Sequence, residues 1–435
     1  MRFPRHLPVA LALALSLAAC ASAPERVPEA ARPAPPPIDD APIIIVKKRP
    51  PAEAPSDDAP RESPREAPRD ELRAPPPSVV LGEPPDDLDP KRTLRLWTLD
   101  VGQGSATLVE LPCGAILIDT GGELNKQFDS RVALEHALDA FFARRPDLKR
   151  TLDLVVITHP HIDHMRGLPL VLDRYRVKNI VDNGNPGDEI VEEEMRALRA
   201  FLDDRKNRRV GRRSVRTEDI PYGKALTDRV IDPLECRPTD PVVRVLSGGL
   251  SGDPGWGEDR YKKRRFHNEN NHSVVVRVDF GESSVLITGD LEDVAIEDLV
   301  RRYEGTGLLD VDVYVVGHHG SHNGTTRGQM DAMTPDAAVM SMGPDHRRRS
   351  WTAWRYGHPR QQTVSLLEEG VRLGRAPVEV KVATGVREFF TMKMHKAVYG
   401  TGWDGTVVLE ATDDGRLFVR TGSVLAEGIP ETAAR

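Results

Sequence analysis

The chain has 435 residues, enough for two or three average domains or for one large domain behind a long linker. Its composition, 39% hydrophobic and 29% charged, is that of a soluble globular protein, and a formal net charge of −7 excludes a general attraction to nucleic acid or anionic membrane. Three cysteines are too few for a disulfide-built scaffold or a thiolate metal centre, so any metal must rest on histidines and carboxylates.

The first twenty residues read as a secretion signal. Arg2 and Arg5 give a positive start, and Leu7 to Ala19 is apolar but too short to span a bilayer. This stretch closes on Leu17-Ala18-Ala19-Cys20, which resembles a bacterial lipobox. The resemblance implies acylation of Cys20 and a chain exported and lipid-anchored to a bacterial membrane, facing the periplasm or the exterior. Plain secretory cleavage nearby, or an uncleaved anchor, is the alternative.

Nineteen of the 36 prolines fall between Pro24 and Pro90, interleaved with Arg, Glu and Asp, and this density forbids both ladders and useful helices. Residues 21–91 are therefore expected to be a disordered, semi-extended spacer. The folded domain is expected over 92–425.

Leu94 to Leu99 alternates weakly, and Ala106–Leu111 and Ala115–Ile118 are strand-like runs around the turn Pro112-Cys113-Gly114. Lys126 to Arg145 carries apolar residues at helical spacing. Leu152 to Thr158 is a buried-strand run, followed by a helix from His164 to Tyr175 and a strand from Val177 to Val181. Glu192 to Asn271 reads as irregular, with basic runs at Arg205–Arg216 and Lys262–Arg265. Strands return at Ser273–Phe280, Ser284–Thr288 and Val311–Val316. Thr406–Leu409 and Arg416–Arg420, joined by Asp413-Asp414-Gly415, read as a closing hairpin.

The strongest chemical signal is Thr158-His159-Pro160-His161-Ile162-Asp163-His164. His159 and His161 are two apart, so an extended backbone points them the same way, while Asp163 and His164 turn off in another direction as a helix begins. That divergence suits two adjacent metal ions better than one. Further ligands are offered where other strands begin or end: Asn270 to Ser273, Thr288-Gly289-Asp290, and Gly317-His318-His319-Gly320-Ser321.

The order HxHxDH, then Gly-Asp, then His, resembles the metallo-β-lactamase superfamily. Asp100-Val101-Gly102-Gln103-Gly104, Leu117 to Gly121, the His-His-Gly-Ser stretch and Gly357-His358-Pro359 narrow the resemblance to the soluble ComEC-like competence domain and related phosphodiesterases. It implies an α/β fold, a four-layer αββα sandwich, that binds two divalent ions, zinc by ligand preference or manganese. His159, His161 and His272 would hold the first ion, and Asp163, His164 and His318 the second, with Asp290 bridging and His319 an alternative to His318. Asp100 and Asp119 would steady the ligand loop. His319, Ser321 and His358 would contact substrate phosphate, and Asp163 would orient a metal-bridged hydroxide and accept its proton. The expected substrate is a phosphodiester, from nucleic acid or an envelope phosphoester; no protein partner is evident.

The family's membrane channel region is not matched, and Ser105 stands where the family has Asp. A carbonyl hydrolase on the same fold and a non-catalytic binding lipoprotein remain alternatives. Cys113 and Cys236 are poorly placed as nucleophiles; an oxidising compartment would allow them to pair.

Overall fold

A computed structural model describes residues 80–250 and 268–422. The signal segment, Cys20, the proline-rich stretch up to residue 79 and the basic run Lys262–Arg265 lie outside the described residues.

Two mixed sheets stack face to face. The first has eight strands in the order Gly211–Ser214, Asn179–Asp182, Leu154–Val156, Gly114–Ile118, Thr107–Leu111, Thr93–Thr98, Val407–Thr412, Leu417–Thr421. The second has six: Pro241–Ser247, Val275–Phe280, Ser283–Ile287, Val313–Val316, Ala337–Met340, Val398–Gly400. The period-2 alternation of a strand divides each sequence between two layers. Ile116, Ile118, Leu154 and Val156 join the core cluster that also takes in Val243, Val245, Val276 and Val278 of the second sheet. Their neighbours Ala115, Leu117 and Val155 pack outward against Leu134, Leu138 and Phe141 of the helix Ser130–Arg144. Ile296 and Leu299 of Asp293–Arg302, with Val364 and Leu367 of Gln361–Gly370, join the second sheet's core. The result is the expected αββα sandwich.

The central strands of both sheets run parallel. Gly114–Ile118 pairs with Leu154–Val156, and Ser283–Ile287 with Val313–Val316 and then Ala337–Met340. Parallel strands deliver their C-terminal loops to one edge, so residues following Ile118, Val156, Ile287, Val316 and Met340 meet there. Parallel pairing continues to the edge strands Gly211–Ser214 and Val398–Gly400, and antiparallel strands complete the opposite side of each sheet, including the closing hairpin Val407–Thr412/Leu417–Thr421.

Several expectations are corrected. The chain docks on the domain before Arg92: Leu81 is buried, its amide donates to Gly374 O at 2.8 Å, and Gly82 O accepts from Val419 N at 2.9 Å. The helix expected over His164–Tyr175 is two, Ile162–Met165 and Leu168–Arg174. Gly167 lies between them, where a Cβ would come within 2.5 Å of both Leu134 and the Thr120 carbonyl. The region read as irregular holds the helix Glu192–Asp203 and the edge strand Pro241–Ser247. The helix expected from Lys126 begins at Ser130, where the Asp129 carboxylate accepts from Arg131 N and caps it. Cys113 and Cys236 form a disulfide that links a turn of the first sheet to the approach to the second sheet's edge strand.

Candidate metal centre

The site is built at the edge where the parallel strands end. Asp119 follows Ile118 in a left-handed backbone conformation (φ 59°), and both its oxygens are used. Oδ1 accepts from Thr158 N at 2.8 Å, and Oδ2 accepts from Thr158 Oγ1 at 2.8 Å. The same Oδ2 lies 2.7 Å from Nδ1 of His164. One carboxylate thus pins both ends of the turn Thr158–His164. The close packing behind that turn needs glycine: a Cβ at Gly122 would stand 2.0 Å from Asp163 Cα.

Three imidazoles share one arrangement. Nδ1 of His164 faces Asp119, and Nδ1 of His319 lies 2.8 Å from the Ser341 carbonyl. Nδ1 of His159 lies 3.2 Å from Thr158 Oγ1 and 3.3 Å from Ser273 Oγ. Both hydroxyls already donate elsewhere, to Asp119 and to the Asn270 carbonyl, so they receive the His159 proton. Each ring is therefore oriented through Nδ1, which leaves Nε2 as the atom turned toward the cluster. All three Nε2 atoms are buried without a hydrogen-bond partner. Buried polar atoms left this way are rare and point to a ligand outside the protein.

The carboxylates complete the set. Asp290 Oδ2 lies 3.2 Å from His164 Nε2 and 3.3 Å from His319 Nε2, and Asp163 Oδ2 lies 3.3 Å from His319 Nε2. Ligand atoms of Asp163, His164, Asp290 and His319 all fall within 4.8 Å of one another. The His159 ring is 4.2 Å from that of His164 and 4.6 Å from that of His161. Two carboxylates and bare imidazole nitrogens around one small space are a donor set that fits a divalent cation.

The carboxylates make this spot one that favours positive charge. Burial works against the charged form of His319, but Asp290 and Asp163 overcome it and push its pKa up to about 10. His164 is raised well above its usual range, burial being outweighed by Asp290 and Asp119. Burial alone would raise the Asp290 carboxyl, yet the facing His319 and His164 hold it well below the usual range. His159, buried and next to His164 and His161, is pushed well below its ordinary value and stays neutral.

Some expected residues lie elsewhere. His319, not His318, occupies the cluster, because both residues adopt left-handed conformations (φ 51° and 52°) that turn the chain sharply after Val316. His318 faces Asn270 instead, with Nε2 at 3.3 Å from Nδ2. His272 is fully buried and its Nδ1 accepts from the Leu250 amide at 3.1 Å, a position already committed to the backbone. Asp100 caps its own turn, accepting from Gly102 N at 3.2 Å, and does not touch the ligand turn. The Ser321 hydroxyl donates to Asn323 Oδ1 at 2.8 Å rather than facing the cavity. His161 lines the cavity, with Nε2 at 3.4 Å from Glu269.

A cavity of about 280 Å³ opens over the cluster, lined by Asp163, Asp290, His318, His319, Asn270 and His358, among others. Nδ1 of His358 lies 3.2 Å from the amide Nε2 of Gln103, while Gly343 N donates to the Gln103 carbonyl oxygen. Gln103 therefore donates to His358, leaving the imidazole proton on Nε2. Burial, then the neighbouring His318 and His319, hold this ring well below its ordinary pKa, so it is neutral. Ser341 and Glu292 were not singled out from the sequence, and Gln103, Thr158 and Ser273 stood within its motifs without a role of their own. Glu292 accepts from Asn268 Nδ2 and Asn270 Nδ2, steadying the wall that His318 faces. Their signal is tertiary: each acts through a partner far away in the chain.

The family model for the metallo-β-lactamase superfamily matches residues 99–343, more than half of the chain. Over 282 residues the chain is 26% identical to ComE operon protein 3 of Bacillus subtilis (strain 168), covering 62% of this chain and 30% of that protein. Over 272 residues it is 28% identical to Recombination protein 2 of Haemophilus influenzae (strain ATCC 51907 / DSM 11121 / KW20 / Rd), covering 62% of this chain and 26% of that protein. The chain thus spans less than a third of the length of these curated relatives. Among solved structures, the metallo-β-lactamase fold protein YhfI from Bacillus subtilis is 12% identical, with a TM-score of 0.33, covering 69% of this chain and 99% of its own. With every member of the histidine–carboxylate cluster inside the matched span, the chain belongs to the metallo-β-lactamase superfamily.

Proposed function

We propose that this chain is a metal-dependent hydrolase of phosphodiesters, exported and lipid-anchored through Cys20. The observation that carries the reading is the convergence of three bare, buried Nε2 atoms with Asp163 and Asp290 beneath an open cavity. Asp163, His164, Asp290 and His319 would hold one divalent ion, and His159 and His161 would contribute to a second. Zinc suits this donor set, with manganese the other option. Ions bound here supply Lewis acidity and a water acidified toward neutral pH.

The chain's own groups supply the rest. Asp163 lines the cavity, and His319 and His164 outweigh its burial and keep it ionised far below the usual carboxylate range. It accepts a hydrogen bond from the attacking water and so orients it. The neutral His358 donates its Nε2–H to a non-bridging phosphate oxygen. The Cys113–Cys236 disulfide supports an oxidising compartment, in keeping with export.

The test is metal content and turnover of bis-p-nitrophenyl phosphate by the purified mature chain. Bound metal near two equivalents with chelator-sensitive diester hydrolysis is expected. Absence of metal after zinc or manganese loading, or turnover of lactones and β-lactams with none of diesters, overturns the reading.

A further inference from the structure

One wall of the cavity is aromatic in a way the reaction itself does not use, and exposed arginines flank its residues along the chain. Trp351 and Tyr356 line the cavity, their ring centroids 6.3 Å apart, and Tyr356 stacks on His358 at 5.8 Å. Trp351 is 46% exposed, although burying an indole is strongly favourable, and it sits at φ 59°, a conformation costly for a bulky side chain. A large apolar ring held out in a strained backbone beside a polar site awaits something flat.

The segment leading to it is fastened at its foot. Arg347, the first of three consecutive arginines, stacks 3.8 Å from the Phe128 ring centroid and lies 3.4 Å from the buried Glu123. Arg348 and Arg349 are exposed, as is Arg355 beside Tyr356, and none forms an ion pair among the described residues. Three unpaired guanidinium groups on a chain of net charge −7 are a local exception rather than an overall tendency.

We propose that residues 344–356 form a recognition arm for single-stranded nucleic acid, with a base stacked on Trp351 and flanking phosphates paired by Arg348, Arg349 and Arg355. The proposal rests on the phosphodiesterase reading for the bond cleaved, and adds which substrate reaches it. Stacked aromatics interleaved with cations are how proteins hold single strands without reading sequence. A cationic headgroup such as choline would also fit against Trp351, but the three arginines repel it.

The test compares wild type, Trp351→Ala and Arg348→Ala/Arg349→Ala/Arg355→Ala in the mature chain. Binding of a fluorescein-labelled single-stranded oligodeoxynucleotide is followed by anisotropy over a salt series, and turnover of bis-p-nitrophenyl phosphate is measured alongside. Trp351→Ala should weaken oligonucleotide binding about tenfold. The triple variant should flatten the salt dependence of binding by about two units in the log–log slope. The triple variant, whose arginines do not line the cavity, should leave small-diester kcat/KM within about twofold of wild type. Unchanged oligonucleotide affinity and salt slope in both variants overturns the arm. So does a loss confined to glycerophosphocholine, assayed in parallel. Oligonucleotide binding is read without catalysis, so a chain that binds through the arm and hydrolyses no diester would sink the proposed function alone.

Discussion

Asp119 controls the candidate site without facing the cavity. Its carboxylate orients the His164 ring and fixes both hydrogen-bonding groups of Thr158. Asp119→Ala should therefore reduce metal affinity by about 10- to 100-fold while the fold persists, as measured by competition with a chromophoric chelator. Unchanged affinity would mean the ring needs no such support. Asp163→Asn, nearly isosteric and only partly exposed at the cavity, should lower diester turnover by orders of magnitude with a native circular dichroism spectrum. His358 should behave differently. A neutral donor that meets phosphate in ground and transition states alike predicts for His358→Ala a raised KM and a kcat within a few-fold of wild type. A fall in kcat at constant KM would make it a proton donor to the leaving group instead. What could be read from the sequence at this scale was the cluster Thr158 to His164 and Asp290. What could not was the choice between His318 and His319. Proximity to the strand end favours His318, and only the two left-handed residues reverse that order.

At the scale of elements, the apolar runs located nearly every central strand, because those strands are buried on both faces and read as continuous hydrophobic sequence. The edge strand Pro241–Ser247 escaped because Arg244, on the same partly covered face as Val242, breaks the apolar run. The helix Glu192–Asp203 escaped because its buried face is narrow, Met195 and Leu198 amid glutamates and arginines. The loop before that edge strand carries a cost that can be measured. Asp232 has one oxygen buried without a partner, and burial, reinforced by Asp240, pushes its carboxyl up to about 6. With a folded pKa above the unfolded value of about 3.9, the folded state binds the extra proton between those limits, so stability from this group falls as pH rises through that window. Asp232→Asn should raise Tm relative to wild type at about pH 8 and lose that advantage near pH 4. An advantage equal at both values would show that ionisation is not its source.

At the scale of the whole molecule, the sequence left the fate of two cysteines open, because pairing depends on which loops the two sheets bring together. The turn holding Cys113 belongs to the first sheet, and Cys236 lies just before the edge strand of the second, 123 residues further on. The loop so closed contains the ligand turn Thr158–His164. Closing a loop of this length removes unfolded-state entropy equivalent to about 4–5 kcal/mol, and loss of native bridges commonly costs about 2–5 kcal/mol. Cys236→Ser should therefore lower Tm by roughly 10 °C, on the order of 2–4 °C per kcal/mol for a chain somewhat smaller than this one. Dithiothreitol should lower wild type to the same value and leave the variant unmoved, since both remove one constraint. The ligand turn is held by Asp119 within the first sheet, so metal content below the transition should be the same with and without the bridge. Two free thiols titrated in native protein, or a Tm indifferent to reductant, would show that the sheets are held together by their shared core alone.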